Sequence, residues 1–143
     1  MQLTSPCDPI ERLRDEMFKL PQVAQRTEHH FAHGMYVRTI FSPAGTVIVG
    51  KVHKTEHLYG VLTGKVRVSM NGETTEIDAT DGPKFIRCYP GTRRAVYVIE
   101  DAWRINVMLN PEDETELDAL ESSLVEEDAQ SPFLPGNLLR ALT

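Results

Sequence analysis

Residues 45–64 read GTVIVGKVHKTEHLYGVLTG, two runs of β-forming residues around a short polar connection that carries two histidines. Side chains alternate along a strand, so Lys51 and His53 point to the same side of the first run. His57 begins the second run, and across a strand–turn–strand unit it can meet His53 at one point. The stretch therefore predicts an all-β fold in which ionisable side chains converge at the mouth of a barrel.

Short strands broken by turn residues occupy the whole of residues 35–109. The predicted strands are 35–41, 46–52, 58–62, 66–70, 73–77, 84–88, 95–99 and 103–109. Asn71-Gly72 between alternating strands is a strong hairpin signal, and Thr63-Gly64 is predicted to be a second tight turn. Because no connection has room for a helix, a parallel sheet is excluded, and a sandwich or barrel is predicted.

A short helix is predicted before the strands. Asp8 is a suitable N-cap, Pro9 fits the first helical position, Glu11 completes a capping box, and Pro21 ends the helix. The apolar residues between them recur at helical spacing and are expected on one face: Ile10, Leu13, Met17 and Leu20.

A second, acidic helix is predicted after the strands, with Asn110 as its cap, Pro111 at its first position and Asp113 closing the box. It should end near Val125, because the acids that follow would be destabilising at the C-terminal, negative end of the helix dipole. The tail beyond it is expected to dock on the barrel or on a second copy, since it carries five large apolar residues. The apolar stripe is Leu117, Leu120 and Leu124, and the apolar tail residues are Phe133, Leu134, Leu138, Leu139 and Leu142.

The chain thus divides into an N-terminal helical segment (1–22), a barrel (23–110) and an acidic helix with an apolar tail (111–143). Its composition, 41% hydrophobic and 25% charged over 143 residues, is that of an ordinary soluble globular domain. No apolar run is long enough to span a membrane, and the charged N-terminal residues argue against a secretory signal. We therefore expect a cytoplasmic protein without a membrane partner, in which Cys7 and Cys88 are free thiols.

The net charge of −6 is unevenly distributed. Residues 112–128 hold nine acids and no Lys or Arg, which leaves 12 acids and 15 bases in the rest of the chain. A body this mildly basic lacks the dominant basic face of a DNA-coating protein, so no nucleic acid is expected as a partner. The acidic run is interpreted as a solvated helix face.

All five histidines lie between positions 29 and 57, which makes a metal site one hypothesis. His53 and His57 are the candidate ligands, but a catalytic metal usually takes three protein donors. The third could come from His30, His33, Glu56 or Glu100. The alternative is that the histidines form hydrogen bonds in a polar barrel mouth and bind nothing.

The opening stretch resembles the first motif of the cupin family, a glycine, five residues, His-x-His, three or four residues, Glu, six residues and a glycine. Gly45, His53 and Gly64 match this motif, whereas Lys51 stands at the place of its first His and His57 at the place of its Glu. The resemblance covers roughly residues 30–110. It implies a cupin-type β-barrel, or jelly roll, with a helix at each end.

A second cupin motif, in which a histidine follows a glycine by three positions, is matched at Gly91 and has Arg94 at the place of the His. The segment from His29 to the motif around His53 looks in particular like small cupin proteins of tailed phages and prophages. That likeness implies a protein that acts in the cytoplasm of an infected bacterium. The family also implies pairing of two copies, and the apolar tail is consistent with a homodimer.

The departures from these motifs change the chemistry that the resemblance implies. Cupin metal sites resemble three His and one Glu around Fe, Mn, Ni or Zn, but Lys51 and Arg94 would repel a divalent cation. Fixed cations and imidazoles facing one cavity instead suit an anion, because Arg can bind a carboxylate or phosphate with two parallel hydrogen bonds and Lys acts as a point charge. The expected ligand-binding residues are Lys51, His53, His57, Arg94, Arg38, Tyr36 and Tyr97. In the alternative interpretation, Glu56, Glu100 or Asp101 pairs with these cations internally.

Three functions follow as hypotheses. The first is a small-molecule-binding protein that holds an anionic ligand in the barrel. The second is a metal-dependent cupin enzyme of isomerase, lyase or dioxygenase type, in which His53 and His57 bind a divalent transition metal. The third is an interaction protein without a small ligand, since fold alone does not select a function.

Overall fold

Strands dominate the computed structural model, which describes residues 9–17, 19 and 25–126. Helix α1 spans Pro9–Met17, and helix α2 spans Leu117–Leu124. The strands are β1 (Arg26–Ala32), β2 (Met35–Ser42), β3 (Val47–Val49), β4 (His57–Met70), β5 (Glu73–Asp78), β6 (Lys84–Cys88) and β7 (Ala95–Leu109). The expectations for Cys7, Asp8, Leu20, Pro21 and the apolar tail fall outside the described residues.

Two long strands, β4 and β7, organise the sheet. The strands lie in the order β1-β2-β7-β4-β5, while β3 pairs with the first residues of β7 and β6 pairs with the first residues of β4. Every described pairing is antiparallel. Because β7 has partners along both of its halves, it carries residues from one end of the barrel to the other.

The predicted turn at Thr63-Gly64 is wrong, and so is the predicted strand break near Asp101. β4 and β7 run through both places, and their pairing shifts register between Val61 and Val66. Gly64 has a φ of 86°, and a Cβ at this position would collide with the carbonyl oxygen of Asp101. The glycine therefore produces a β-bulge that bends two continuous strands, rather than a turn that separates four short ones.

Strand β1 was not predicted from the sequence. This edge strand pairs with β2 across a turn at Gly34, and all of its residues are exposed or only partly buried. Its polar sequence has no apolar alternation, so pattern alone could not identify it. As a result, His29 and His30 lie on a strand, not ahead of the first one.

The helices differ from their predictions at one end each. α1 starts at Pro9 as predicted but ends at Met17, and it buries Arg14 whereas Leu13 is exposed. α2 ends at Leu124 as predicted but starts only at Leu117, with Glu116 as its N-cap.

The late start of α2 follows from the segment before it. Asp113 has a φ of 50°, and its carboxylate accepts a hydrogen bond from the backbone N–H of Gly34. The side chain of Asn110 forms hydrogen bonds with the backbone of Glu114.

Neither described helix is long and apolar enough to cross a membrane.

The interior contains two apolar clusters. The larger one fills the barrel between β4, β5, β6 and β7, and the smaller one lies where α2 covers one end of the barrel. In the smaller cluster Leu120, Leu124 and Val125 pack against Tyr36 and Met108. The polar site occupies the space between these two clusters.

Candidate functional site

Register places the site residues in neighbouring rows inside the barrel. Met108 of β7 lies opposite Tyr36 of β2 and His57 of β4. One step further along the same face, Asn106 lies opposite Arg38 and Tyr59. All six side chains are buried. Period-two alternation therefore brings polar groups from three strands to the same end of the barrel.

Arg94 is the centre of this arrangement. Its Nη1 donates to His57 Nε2 at 2.9 Å and to Cys88 Sγ at 3.3 Å, and its Nη2 donates to Asn106 Oδ1 at 2.9 Å. The guanidinium carbon lies 4.2 Å from the ring centroid of Tyr59. Burial lowers the pKa of Arg94, but a guanidinium group loses its proton so reluctantly that the side chain stays charged. The barrel thus holds a fixed positive charge to which no carboxylate of the described residues is bonded.

The two histidines form a stacked pair beside that charge. The rings of His53 and His57 have centroids 4.0 Å apart and an interplanar angle of 23°. Burial, followed by the charge of Arg94, lowers the pKa of His53 to about 2 and that of His57 to about 4. Both imidazoles are therefore neutral at physiological pH.

Hydrogen bonds define the tautomer of His57. Arg94 can only donate, so Nε2 of His57 must accept. The other ring nitrogen, Nδ1, lies 3.1 Å from the carbonyl oxygen of Thr55 and donates to it. Both nitrogens of His57 are therefore already engaged by the protein.

Lys51 forms an ion pair that the sequence analysis did not foresee. Its Nζ lies 2.6 Å from Oε2 of Glu121 on α2, and the two side chains are only 7% and 19% exposed. Of the partners expected for the cations, Glu56 instead binds Arg87, and Asp101 accepts from the backbone of Ala44. The acidic helix is therefore more than a solvated face, because one of its carboxylates enters the site.

α2 closes the barrel mouth. Between the helix and the barrel wall there is a cavity of about 20 Å³, lined by Tyr36, Arg38 and Glu121 among others. That volume holds about one water molecule. A small-molecule pocket normally has about 300–1,000 Å³. The cavity beneath α2 is therefore too small for a ligand as long as the helix is in this position.

Five of the seven predicted site residues lie together in the mouth: Lys51, His53, His57, Arg94 and Arg38. Tyr36 joins them at the cavity wall, where its hydroxyl lies 2.6 Å from Nδ1 of His29. Tyr97 does not. It is 41% exposed on the outer face and lies beneath the guanidinium of Arg67, because its position in β7 has the opposite parity to Val96 and Val98.

The residues present do not fit a transition metal. Arg94 occupies Nε2 of His57, and the expected third ligands are elsewhere: His30 and Glu100 are exposed, His33 pairs with Asp113, and Glu56 with Arg87. Across the part of the chain that the structure describes, no group of three His, Cys, Asp or Glu side chains could hold a metal ion. The interpretation of His53 and His57 as metal ligands is therefore not supported by the donor set.

Two residues that the sequence analysis missed shape the site, namely Asn106 and Glu121. A signal for Asn106 was present, since alternation along the last strand puts Arg104, Asn106 and Met108 on one face. Arg104 is a further buried cation, bonded to Gln25 and Ser42. Glu121 could have been found as a carboxylate within the apolar stripe of α2, between Leu120 and Leu124.

Several buried polar atoms at this end of the barrel have no hydrogen-bond partner among the described residues. They include Nδ1 of His53, the hydroxyl of Tyr59 and Nδ2 of Asn106. Such groups are costly to leave unpaired in a protein interior. Their presence beside two guanidinium groups indicates a polar interior suited to a further hydrogen-bonding molecule.

Comparison with solved structures identifies the fold class. KdgF from Halomonas sp. superposes with a TM-score of 0.54 at 13% identity, covering 68% of this chain and 87% of that one. A cupin superfamily protein from Desulfitobacterium hafniense superposes with a TM-score of 0.52 at 8% identity, covering 63% of this chain and 81% of that one.

A third solved structure is salicylate 1,2-dioxygenase from Pseudoaminobacter salicylatoxidans, in adducts with gentisate. It superposes with a TM-score of 0.56 at 17% identity. The superposition covers 82% of this chain but only 34% of the dioxygenase chain. No protein-family model and no curated protein matches the sequence. At these identities the likeness concerns the fold alone: the chain has the all-β cupin-type barrel, or jelly roll, with a helix at each end.

Proposed function

We propose that this protein binds a small anionic molecule at the mouth of its barrel, between the strands and α2. The observation that carries the proposal is the convergence of Lys51, Arg38 and Arg94 with two neutral imidazoles in one buried site. Arg94 has no carboxylate bonded to it among the described residues, and an anionic ligand beside it offsets the cost of burying its charge. The ion pair between Lys51 and Glu121 supports this, because it demonstrates that a carboxylate fits there.

The imidazole of His53 suits the recognition of a neutral or anionic oxygen group. Nδ1 of His53 has no hydrogen-bond partner among the described residues, and it lies on a ring that stays neutral. A neutral imidazole can donate from one nitrogen and accept at the other, so it can bind a hydroxyl or carboxyl group of the ligand. This supports a binding role without a metal and gives no reason to assign a reaction.

A homodimer is part of the proposal. The outer face of the sheet formed by β2, β7 and β4 exposes large apolar side chains next to one another, including Met35, Leu58 and Leu109. Contiguous apolar surface of this kind is usually covered in a soluble protein. We expect a second copy to cover it. A cytoplasmic location and a phage origin stay predictions of the sequence.

The test is thermal unfolding in the sodium salts of phosphate, acetate and butanoate at constant ionic strength, with chloride as the reference. A ligand at a hundred times its Kd adds about 2.7 kcal/mol, which raises Tm by roughly 10 °C in a domain of this size. We expect at least one of these anions to raise Tm in the wild type and to lose most of that effect in Lys51→Met.

The matched control is Lys54→Met, since Lys54 also contacts α2 but through the carbonyl oxygen of Ser122. It should respond to anions like the wild type. The proposal is overturned if anions raise Tm equally in all three proteins. It is also overturned if the purified protein carries a stoichiometric transition metal that is lost in His53→Ala.

A further inference from the structure

The buried face of α2 combines leucine side chains with one carboxylate. Leu117, Leu120, Glu121 and Leu124 follow one another at spacings of three, one and three, which places them on a single side of the helix. Leu120 and Leu124 are buried in the apolar cluster under the helix, and Glu121 reaches Lys51 between them. The helix therefore presents one carboxylate within a hydrocarbon surface.

The barrel mouth is complementary to that surface. Tyr36 and Met108 form an apolar wall against the leucines, and Lys51 supplies the charge that receives the carboxylate. The helix presents hydrocarbon side chains and one carboxylate to this site. A small molecule with the same groups is therefore complementary to it as well. The rest of the mouth adds Arg38 at the cavity wall.

The attachment of α2 is suited to exchange. A helix of eight residues is marginal without tertiary contacts, so its position depends on what it packs against. Besides the leucines and the ion pair, hydrogen bonds hold its C-terminal end: the backbone N–H and Nζ of Lys54 donate to the carbonyl oxygens of Leu124 and Ser122, and the N–H of Glu126 donates to that of Val52. The cavity of about 20 Å³ under it leaves no room for a ligand unless the helix moves.

We infer that the ligand of this site is an amphiphilic monocarboxylate, and that it binds by displacing α2, with its carboxylate replacing Glu121 on Lys51 and its hydrocarbon chain replacing Leu120 and Leu124. The inference rests on the proposed function, and it specifies the ligand class and the competing segment. α2 acts as a built-in competitor that keeps the buried lysine paired when no ligand is present.

The experiment is isothermal titration of the full chain with straight-chain carboxylates from acetate to octanoate, below micelle concentrations. Each added methylene should tighten binding about fourfold until the chain fills the space under α2. 1-Octanol, which has the chain without the charge, should bind far more weakly than octanoate. In Lys51→Met the preference for octanoate over 1-octanol should disappear.

Glu121→Gln removes the internal competitor and should tighten octanoate binding at least tenfold. Its matched control is Glu112→Gln, an exposed acid in the same segment, which should bind like the wild type. Hydrogen exchange gives an independent readout, since octanoate should speed exchange of the backbone amides of 120–124. If Glu121→Gln does not fold, the chain-length series and the exchange measurement in the wild type still decide.

The two proposals fail in different ways. If acetate or phosphate binds with dependence on Lys51, but chain length and Glu121→Gln have no effect and α2 stays protected, the present inference is wrong and the proposed function stands. If no anion binds with dependence on Lys51 in either the wild type or Glu121→Gln, both are wrong.

Discussion

Acidification should destabilise this protein strongly through two residues, His53 and His57. In the folded chain their pKa values are lowered to about 2 and about 4, whereas an unperturbed histidine has about 6.5. As the pH falls below 6.5, the unfolded chain takes up protons at both positions and the folded chain does not. The stabilisation is therefore complete above pH 6.5 and is lost progressively as the pH falls towards the folded pKa values.

The size of the effect follows from the same values. Between pH 7.5 and pH 5, each histidine with a strongly lowered pKa reduces the free energy of unfolding by about 2 kcal/mol, so the pair reduces it by about 4 kcal/mol. That is a large part of the 5–15 kcal/mol typical of the free energy of unfolding of a single domain. Urea unfolding followed by circular dichroism at pH 7.5, 6.5 and 5 measures it.

Comparison with variants isolates the two groups. The double variant His53→Gln/His57→Gln should have a weaker pH dependence of stability. Over this range its free energy of unfolding should fall by about 4 kcal/mol less than that of the wild type. His33→Gln serves as the control, because His33 has a side chain that is 95% exposed, and it should behave like the wild type. The reasoning is refuted if the double variant loses as much stability on acidification as the wild type does.

Three further predictions concern the ion pair, the bulge and the outer face. Lys51→Met and Glu121→Gln should each lower the free energy of unfolding by about 3 kcal/mol, and the double variant by less than their sum, because each single change removes one partner of a largely buried ion pair. A double-mutant cycle without coupling energy would contradict this. Gly64→Ala should cost at least about 2 kcal/mol in urea unfolding, since it forces a positive φ and a clash with Asp101; a change below about 0.5 kcal/mol would count against the bulge. Leu109→Asp should yield monomers in analytical ultracentrifugation where the wild type sediments as a dimer, and a wild type that is monomeric at all concentrations would disprove the dimer.

Much of the fold could be predicted because its signals are local. The hairpin at Asn71-Gly72 and the start of α1 at Pro9 follow from turn and capping preferences of a few residues. The resemblance of residues 45–64 then identified the fold class, which the solved structures confirm. The errors arose where local signals mislead, as at Gly64, whose positive φ serves a bulge as well as a turn.

The site was predictable only in part, for a physical reason. Lys51 and His53 are two residues apart and are both buried, so their shared direction could be inferred from sequence, although β3 ends at Val49 and does not include them. The partner of Lys51 is Glu121, which is brought close only when α2 folds over the barrel mouth. The register of β7 against β2 and β4 places Asn106 beside Arg38 and Tyr59, and no local pattern encodes that pairing.

The most direct test of the account is a crystal structure of the protein grown with octanoate. The account predicts the octanoate carboxylate within hydrogen-bond distance of Lys51 Nζ, its chain against Tyr36, and Glu121 displaced from the lysine. A structure with Glu121 still paired to Lys51 and octanoate bound elsewhere, or with a metal ion coordinated by His53 and His57, would contradict it.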